Sequence, residues 1–374
     1  MRIAIVGCGF VADYYISTLR DYPQLAIAGV MDRNLERATH FGAYHQLSVY
    51  PTLAALLEDP SVELVLNLTN PRSHFEISQA CLEAGKHVYS EKPLAMNFEE
   101  AQSLVKLAHT KGLYLSCAPC NLLGETAQTL WKALREKVVG SVRVVYAEMD
   151  DGLLHKMPYR QWQSSSGTPW PAKDEFEVGC TLEHAGYYIT WLAAFFGPIT
   201  ALTAFASCQI PDKQADEVLE PDNTPDFSVA CLQFGSGVVA RLTCSIVSPH
   251  DHALTIVGDE GLLYAKDCWF YNSPVFVRRS LTIRRKTFWN PIPRKYPLVR
   301  SSQQRRKTKK GQQMDYARGV AELVDAIKNK RPCRLGAEFS LHVNEVVLAI
   351  QNATSGVSYQ TKTTFAPIEP MHWA

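Results

Sequence analysis

The chain lacks a long hydrophobic run. Its longest apolar stretch, around Tyr187 to Phe196, falls well short of the roughly 18 apolar residues a spanning helix needs, so no membrane segment is expected. It also lacks a charge excess: 38 basic residues stand against 37 acidic ones, which leaves no whole-chain case for a nucleic-acid or membrane-surface partner. Met1-Arg2 runs straight into the apolar Ile3-Ala4-Ile5-Val6 with no charged n-region, h-region and cleavage site, so no secretory leader is expected. The ten cysteines lack framework spacing and read as reduced, mostly buried thiols of a cytoplasmic protein. Cys117 and Cys120 have C-x-x-C spacing, but no second pair follows at a distance that suits structural zinc, so they read as two small residues at a strand end and no metal is expected. No internal repeat and no low-complexity segment is present.

What is present is ordinary globular composition, 46% hydrophobic and 20% charged, over 374 residues, enough for two domains of roughly 150 residues each. In the first 120 residues strand-length apolar runs alternate with helix-period stretches. This is the pattern of an α/β, doubly wound parallel sheet. Strands are predicted at Arg2 to Val6, Leu25 to Asp32, Val62 to Leu68, His87 to Ser90 and Leu113 to Ala118. Helices are predicted near Phe10 to Leu19, Leu35 to Phe41, Pro51 to Glu58, Ser73 to Ala84 and Phe98 to Lys111. Beyond Pro119 the texture changes to a helix at Thr126 to Lys137 and a strand at Val142 to Met149. Short alternating runs then extend from Ala201 to Ala265, which hairpin-linked antiparallel strands explain. Helical periodicity returns at Tyr316 to Lys328 and Leu341 to Asn352. The division expected is 1–119 and 120–374.

The string Gly7-Cys8-Gly9-Phe10-Val11-Ala12 follows the first strand and opens the first helix. Gly7 permits the tight turn, Gly9 lets a pyrophosphate approach the backbone, and the exposed N–H groups of Gly9, Phe10 and Val11 favour an anion. Asp32 ends the second strand, where a carboxylate can accept from an adenosine ribose diol. Strand, helix and acid in register predict dinucleotide binding. Asp32 would repel a 2′-phosphate and argues for NAD, while Arg33 beside it could stack on adenine or compensate that charge and admit NADP.

Two further strand ends, Thr69-Asn70-Pro71 and Glu91-Lys92-Pro93, face the ligand crevice of such a sheet. With the glycine string, with Asn70-Pro71 and His74, with Glu91-Lys92-Pro93 and with the tail from Asp315 through Ala326 and Ile327 to Glu345, the chain resembles the glucose-fructose oxidoreductase, inositol dehydrogenase and rhizopine catabolism (Gfo/Idh/MocA) family over nearly its whole length. The resemblance implies an N-terminal Rossmann domain, a C-terminal α/β domain on an open, mostly antiparallel sheet often used for oligomer contacts, and an active site between them. It also implies that Lys92 contacts the nicotinamide ribose and the reacting hydroxyl. An ammonium there can hydrogen-bond a developing alkoxide and, with a pKa lowered by desolvation, exchange a proton.

The family's second element is an Asp followed four residues later by a His. Here the aligned positions are Glu183 and Tyr187. Spacing i to i+4 keeps them neighbours on a helix, and a phenol near Lys92 could have its pKa lowered, which makes Tyr187 the first acid/base candidate. His184 is the second, although in a regular helix it would face another side. The loop Ser164 to Pro171, followed by Asp174-Glu175-Phe176-Glu177, mixes hydroxyls and aromatics and reads either as a sugar-binding surface or as an exposed loop.

From Cys268 to Met314 there is no acidic residue, while Arg278, Arg279, Arg284, Arg285, Lys286, Arg294, Lys295, Arg300, Arg305, Arg306, Lys307, Lys309 and Lys310 fall within it. This is read as a solvated insertion, or as a surface for a phosphate-bearing substrate or an acidic partner subunit, with nucleic acid least favoured. The expectation is an NAD(P)-dependent dehydrogenase of a sugar or cyclitol carbinol, in a homo-oligomer. Two alternatives stand beside it: glycoside cleavage or epimerisation through transient oxidation, and a sugar-sensing regulator, which a missing cleft histidine would favour.

Overall fold

A computed structural model describes residues 1–301, 314–354 and 356–374. In its first third, β1 (Arg2–Val6), α1 (Phe10–Leu19), β2 (Ala26–Met31), α2 (Leu35–His45), α3 (Leu53–Glu58), β3 (Leu64–Asn67), α4 (His74–Glu83), β4 (His87–Ser90), α5 (Phe98–Lys111) and β5 (Leu115–Cys117) alternate. The strands form one parallel sheet of order β2-β1-β3-β4-β5. Every residue of β3 is buried, as expected of a parallel strand covered on both faces. Strand order reverses beside β1, so the carboxyl ends of β1, β3 and β4 open onto one crevice.

Local signals fix the helix ends. Asn97 caps α5 by accepting from the Glu100 N–H at 2.9 Å, and Gly112 closes it in the left-handed region. Helix α2 runs four residues past the predicted end. Gly42 lies inside the helix, at a place where a Cβ would stand 2.5 Å from the Val49 side chain.

The chain continues through α6 (Glu125–Arg135), β6 (Val142–Asp150), α7 (Ala172–Val178), a π-turn (Thr181–Ala185), α8 (Gly186–Phe196), β7 (Ile199–Ser207), β8 (Phe227–Phe234), β9 (Val239–Ser245), β10 (Leu254–Gly258), β11 (Gly261–Ala265), β12 (Val275–Ile283), β13 (Lys286–Trp289), β14 (Arg294–Tyr296), α9 (Ala317–Asn329), α10 (Ala337–Gln351) and β15 (Ser358–Gln360). Its sheet has the order β13-β12-β11-β10-β6-β9-β8-β7-β15, with β14 on β12. The pairing is antiparallel except for β6 with β9, which run parallel, so not every neighbour is joined by a hairpin. Helix α10 begins four residues before the predicted start and packs on both α5 and α8, tying the two sheets together. Among the described residues no helix is long and apolar enough to cross a membrane.

The basic residues Arg278 to Lys295 lie on β12, β13, β14 and the exposed turn between β12 and β13. Arg305, Arg306, Lys307, Lys309 and Lys310 lie outside the described residues.

Candidate active site

The glycine turn sits where the first strand meets α1. Gly7 has φ +100°, and a Cβ on it would stand 2.5 Å from the Leu68 carbonyl oxygen. At Gly9 a Cβ would meet nothing within 4 Å, and no side chain caps α1 there. The N–H groups of the first turn therefore face open space, which fits a nucleotide pyrophosphate. Asp32 is buried beside the turn: its Oδ2 accepts from Cys8 N–H at 2.9 Å, and its Oδ1 from Asn34 N–H at 2.8 Å. The nearest guanidinium belongs to Arg37, 3.8 Å away, while Arg33 is exposed.

From this turn a cleft runs between the two sheets. Gly9, Phe10, Val11, Thr69, Asn70 and Pro71 line the Rossmann side, with Glu91 and Lys92 at the end of β4. His74 lines it too, but its ring is buried between the two strand-end loops, 2.7 Å from Pro93 O and 2.9 Å from Thr69 O, and its single N–H donates to one of them. Burial holds its pKa below the ordinary histidine value. Glu91 accepts from the Tyr15 hydroxyl at 2.7 Å and from the Lys92 N–H at 3.1 Å.

The opposite wall comes from the π-turn and the start of α8. Glu183, His184 and Tyr187 all line the cleft. A regular helix would turn His184 away from the other two, as the sequence predicts. The wider π-turn brings it round, which is the kind of local defect that re-aims side chains. Glu183 forms an ion pair with the Lys92 ammonium. Burial acts to lower the lysine pKa, but Glu183 and Glu91 outweigh it and hold the ammonium above its ordinary value. Burial raises the Glu183 carboxyl even beside that ammonium. His184 Nε2 is hydrogen-bonded with Glu175 at 2.6 Å, and its Nδ1 lies 2.8 Å from Asp151 Oδ2 as an ion pair. Burial alone would depress its pKa, but the two carboxylates raise it well above the ordinary value. Tyr187 stacks on Trp269 with ring centroids 4.6 Å apart.

A model of an oxidoreductase family with an NAD-binding Rossmann fold matches residues 1–118, and a Gfo/Idh/MocA C-terminal domain matches residues 127–264. The chain belongs to the Gfo/Idh/MocA family. It is therefore an NAD(P)-dependent oxidoreductase, and its first sheet is the nucleotide-binding one. A trans-1,2-dihydrobenzene-1,2-diol dehydrogenase of Bos taurus is 26% identical over 274 residues, 72% of this chain and 75% of that protein. Among solved structures, an aldose-aldose oxidoreductase of Caulobacter crescentus complexed with glycerol superposes with TM-score 0.75 at 17% identity, covering 96% of this chain and 99% of that one. A UDP-N-acetylglucosamine 3-dehydrogenase of Acidithiobacillus ferrooxidans superposes at 0.68 and 18%, covering 95% and 97%.

Within this Gfo/Idh/MocA cleft, four expectations need correction. Tyr187 does not gain a lowered pKa from Lys92. Burial pushes its phenol well above the ordinary tyrosine value, with Tyr316, Glu91 and Glu183 adding to the rise, while the ammonium is engaged by Glu183. Lys92 is likewise not a lysine of lowered pKa. The cleft does hold a histidine, His184, so the feature that kept the regulator alternative open is gone. Finally, the serines of the Ser164 to Pro171 loop do not face the cleft: Ser165 and Ser166 donate to the Asp13 carboxylate of α1 at 2.9 and 2.7 Å. Only Trp170 and Pro171 of that loop reach the lining.

The described basic residues of the β12–β14 region line none of the cleft. Sequence reading missed Tyr14, Tyr316 and Trp269 as site residues. Their rings join Trp170 and Tyr187 along the lining, and nothing in their spacing marks them, because they come from α1, the lead-in to α9 and the loop after β11. Arg37 was missed in favour of Arg33; its place at the third position of α2, under the Asn34 cap, was the available signal.

Proposed function

We propose that the cleft transfers a hydride between the nicotinamide nucleotide and a ring carbinol of a neutral sugar, cyclitol or sugar derivative, with residues 1–119 binding the nucleotide and 120–374 supplying the substrate wall. The single observation that carries this is the Lys92–Glu183 pair, set between an open glycine turn and a wall of aromatic rings and carboxylates. Aromatic faces suit the C–H faces of a sugar ring, and carboxylates accept from its hydroxyls. The excess of carboxylates (Glu91, Asp174, Glu175, Glu183) over Lys92 and His184 disfavours an anionic group at the reacting end. The named activities of the Caulobacter and Acidithiobacillus proteins, on an aldose and on a nucleotide-linked sugar, agree with this class.

When bound, the nicotinamide ring supplies the hydride acceptor or donor. In the oxidative direction the substrate hydroxyl hydrogen-bonds Lys92 Nζ. As the carbinol hydrogen leaves with its electron pair, the hydroxyl proton moves to Nζ while a proton on Nζ passes to the Glu183 carboxylate. Burial makes that carboxylate a stronger acceptor than an exposed one. Tyr187 keeps its proton and donates to a substrate oxygen, and Glu175 with Asp151 fixes the His184 ring. Reduction reverses the same transfers. A homo-oligomer formed on the half-exposed face of the second sheet, where Tyr146, Phe205 and Val239 are exposed, belongs to the same reading. The test is NADH or NADPH formation at 340 nm across a panel of sugars, cyclitols and nucleotide sugars. Substrate turnover without net reduced nucleotide would favour transient oxidation instead.

A further inference from the structure

Behind the cleft wall, at the carboxyl end of β6, lies a cluster that touches the hydride-transfer site through Asp151, which faces His184. Asp151, His250 and His252 each offer one donor atom, and the three atoms lie within 4.8 Å of one another. We propose that they form a binding site for a divalent metal of the zinc class. Two imidazoles and one carboxylate are the donor set such ions take, whereas magnesium and calcium prefer oxygen ligands.

The site is held in shape by its surroundings. Asp151 Oδ1 and His252 Nε2 stand 2.8 Å apart. Zinc bound at about 2.0–2.1 Å spaces neighbouring tetrahedral donors by about 3.3 Å, so this pair needs to open by only about half an ångström. The His252 ring is buried, lying against the His250 ring at 4.2 Å between centroids and stacked with Trp269 at 5.6 Å. Its carbonyl accepts from the Tyr188 hydroxyl, which fixes the loop. His252 Nδ1, the ring nitrogen away from Asp151, is buried with no hydrogen-bond partner among the described residues.

The neighbourhood is negative. Asp150 and Asp251 pair through their backbones at 2.9 and 3.0 Å beside Asp151, and among the described residues no lysine or arginine forms an ion pair with any of the three. His250 is exposed, which leaves a way in. Oδ2 of Asp151 faces His184 Nδ1 at 2.8 Å. A metal on Oδ1 would therefore share one carboxylate with the cleft histidine, coupling the two sites through Asp151.

The test uses tag-free, full-length protein dialysed against a chelator and titrated with Co²⁺. The expected result is a saturable visible absorption band at one equivalent per chain, bleached by Zn²⁺. His250→Ala should weaken binding by about a hundredfold or more, since it removes one of three ligands where loss of an outer-shell partner alone costs about tenfold to a hundredfold, and His252→Gln should do at least as much. His109→Ala, an exposed histidine far from the cluster, should bind as the parent does. Because His250 is exposed, its variant should keep the parent's unfolding temperature, so the result stands even if His252→Gln fails to fold. Absence of a saturable band, or a band that His250→Ala leaves unchanged, overturns the site. Fluorescence titration with NAD on the same samples reads the oxidoreductase assignment separately, because the glycine turn and the cluster share no residue.

Discussion

Lys92 and Glu183 stand 91 residues apart in the chain and meet across the cleft as an ion pair, the lysine at the end of a parallel strand and the glutamate in a π-turn. Each changes what the other can do. The glutamate keeps the lysine cationic, and the lysine gives the buried carboxyl a proton donor that it would otherwise lack.

If the pair moves the proton as a unit, Lys92→Ala and Glu183→Gln should each lower kcat by roughly two to four orders of magnitude, while NAD binding followed by fluorescence survives. The double variant should lose little more than either single one, since groups acting together are not additive. Additive losses would mean separate roles.

Tyr187→Phe should be far milder. A phenol that stays protonated contributes one hydrogen bond, worth about 0.5–1.5 kcal/mol, so kcat/KM should fall by only about threefold to tenfold with no change in the pH profile. A loss of a thousandfold or more, or a shifted basic limb, would make the phenol the proton acceptor after all.

Asp32 should set a preference for NAD over NADP by repelling the 2′-phosphate. Asp32→Ser should then raise NADP affinity relative to NAD by about tenfold or more, and Arg37, 3.8 Å from that carboxylate, becomes the phosphate partner. Titration of both nucleotides decides it; tighter NADP binding by the unmodified chain would refute the preference.

His342 should make stability depend on mildly acidic pH. Its buried Nε2 accepts from the Ile199 N–H at 3.0 Å and its Nδ1 lies 2.9 Å from Thr363 Oγ1, so the folded state needs the neutral ring, and burial lowers its pKa to about 4. The unfolded chain takes up that proton near pH 6.5, so the stabilisation is complete above about pH 6.5 and is lost as pH falls toward 4, with at most about 3 kcal/mol at stake. Thermal unfolding between pH 7 and 5 should show the slope, and His342→Gln should flatten it.

The sequence by itself determined the elements whose signals are local. The glycine turn, the strand ends at Thr69 to Pro71 and Glu91 to Pro93, and the caps of α5 follow from backbone conformations and hydrogen bonds made within a few residues. They are legible because Gly7 at φ +100° or Asn97 over Glu100 needs no distant partner. Lys92 was legible for the same reason, as the end of a strand that must face the crevice.

What only the tertiary structure decided is which groups are free to act. Whether a serine is available depends on Asp13, 152 residues before Ser165. The protonation of Lys92, Glu183 and Tyr187 depends on burial and on charges brought in from other elements. The side to which His184 points depends on a π-turn packed against β9 and α10. Hydrogen bonds and Coulomb interactions act through space, so spacing along the chain can nominate these residues, but only packing assigns their state.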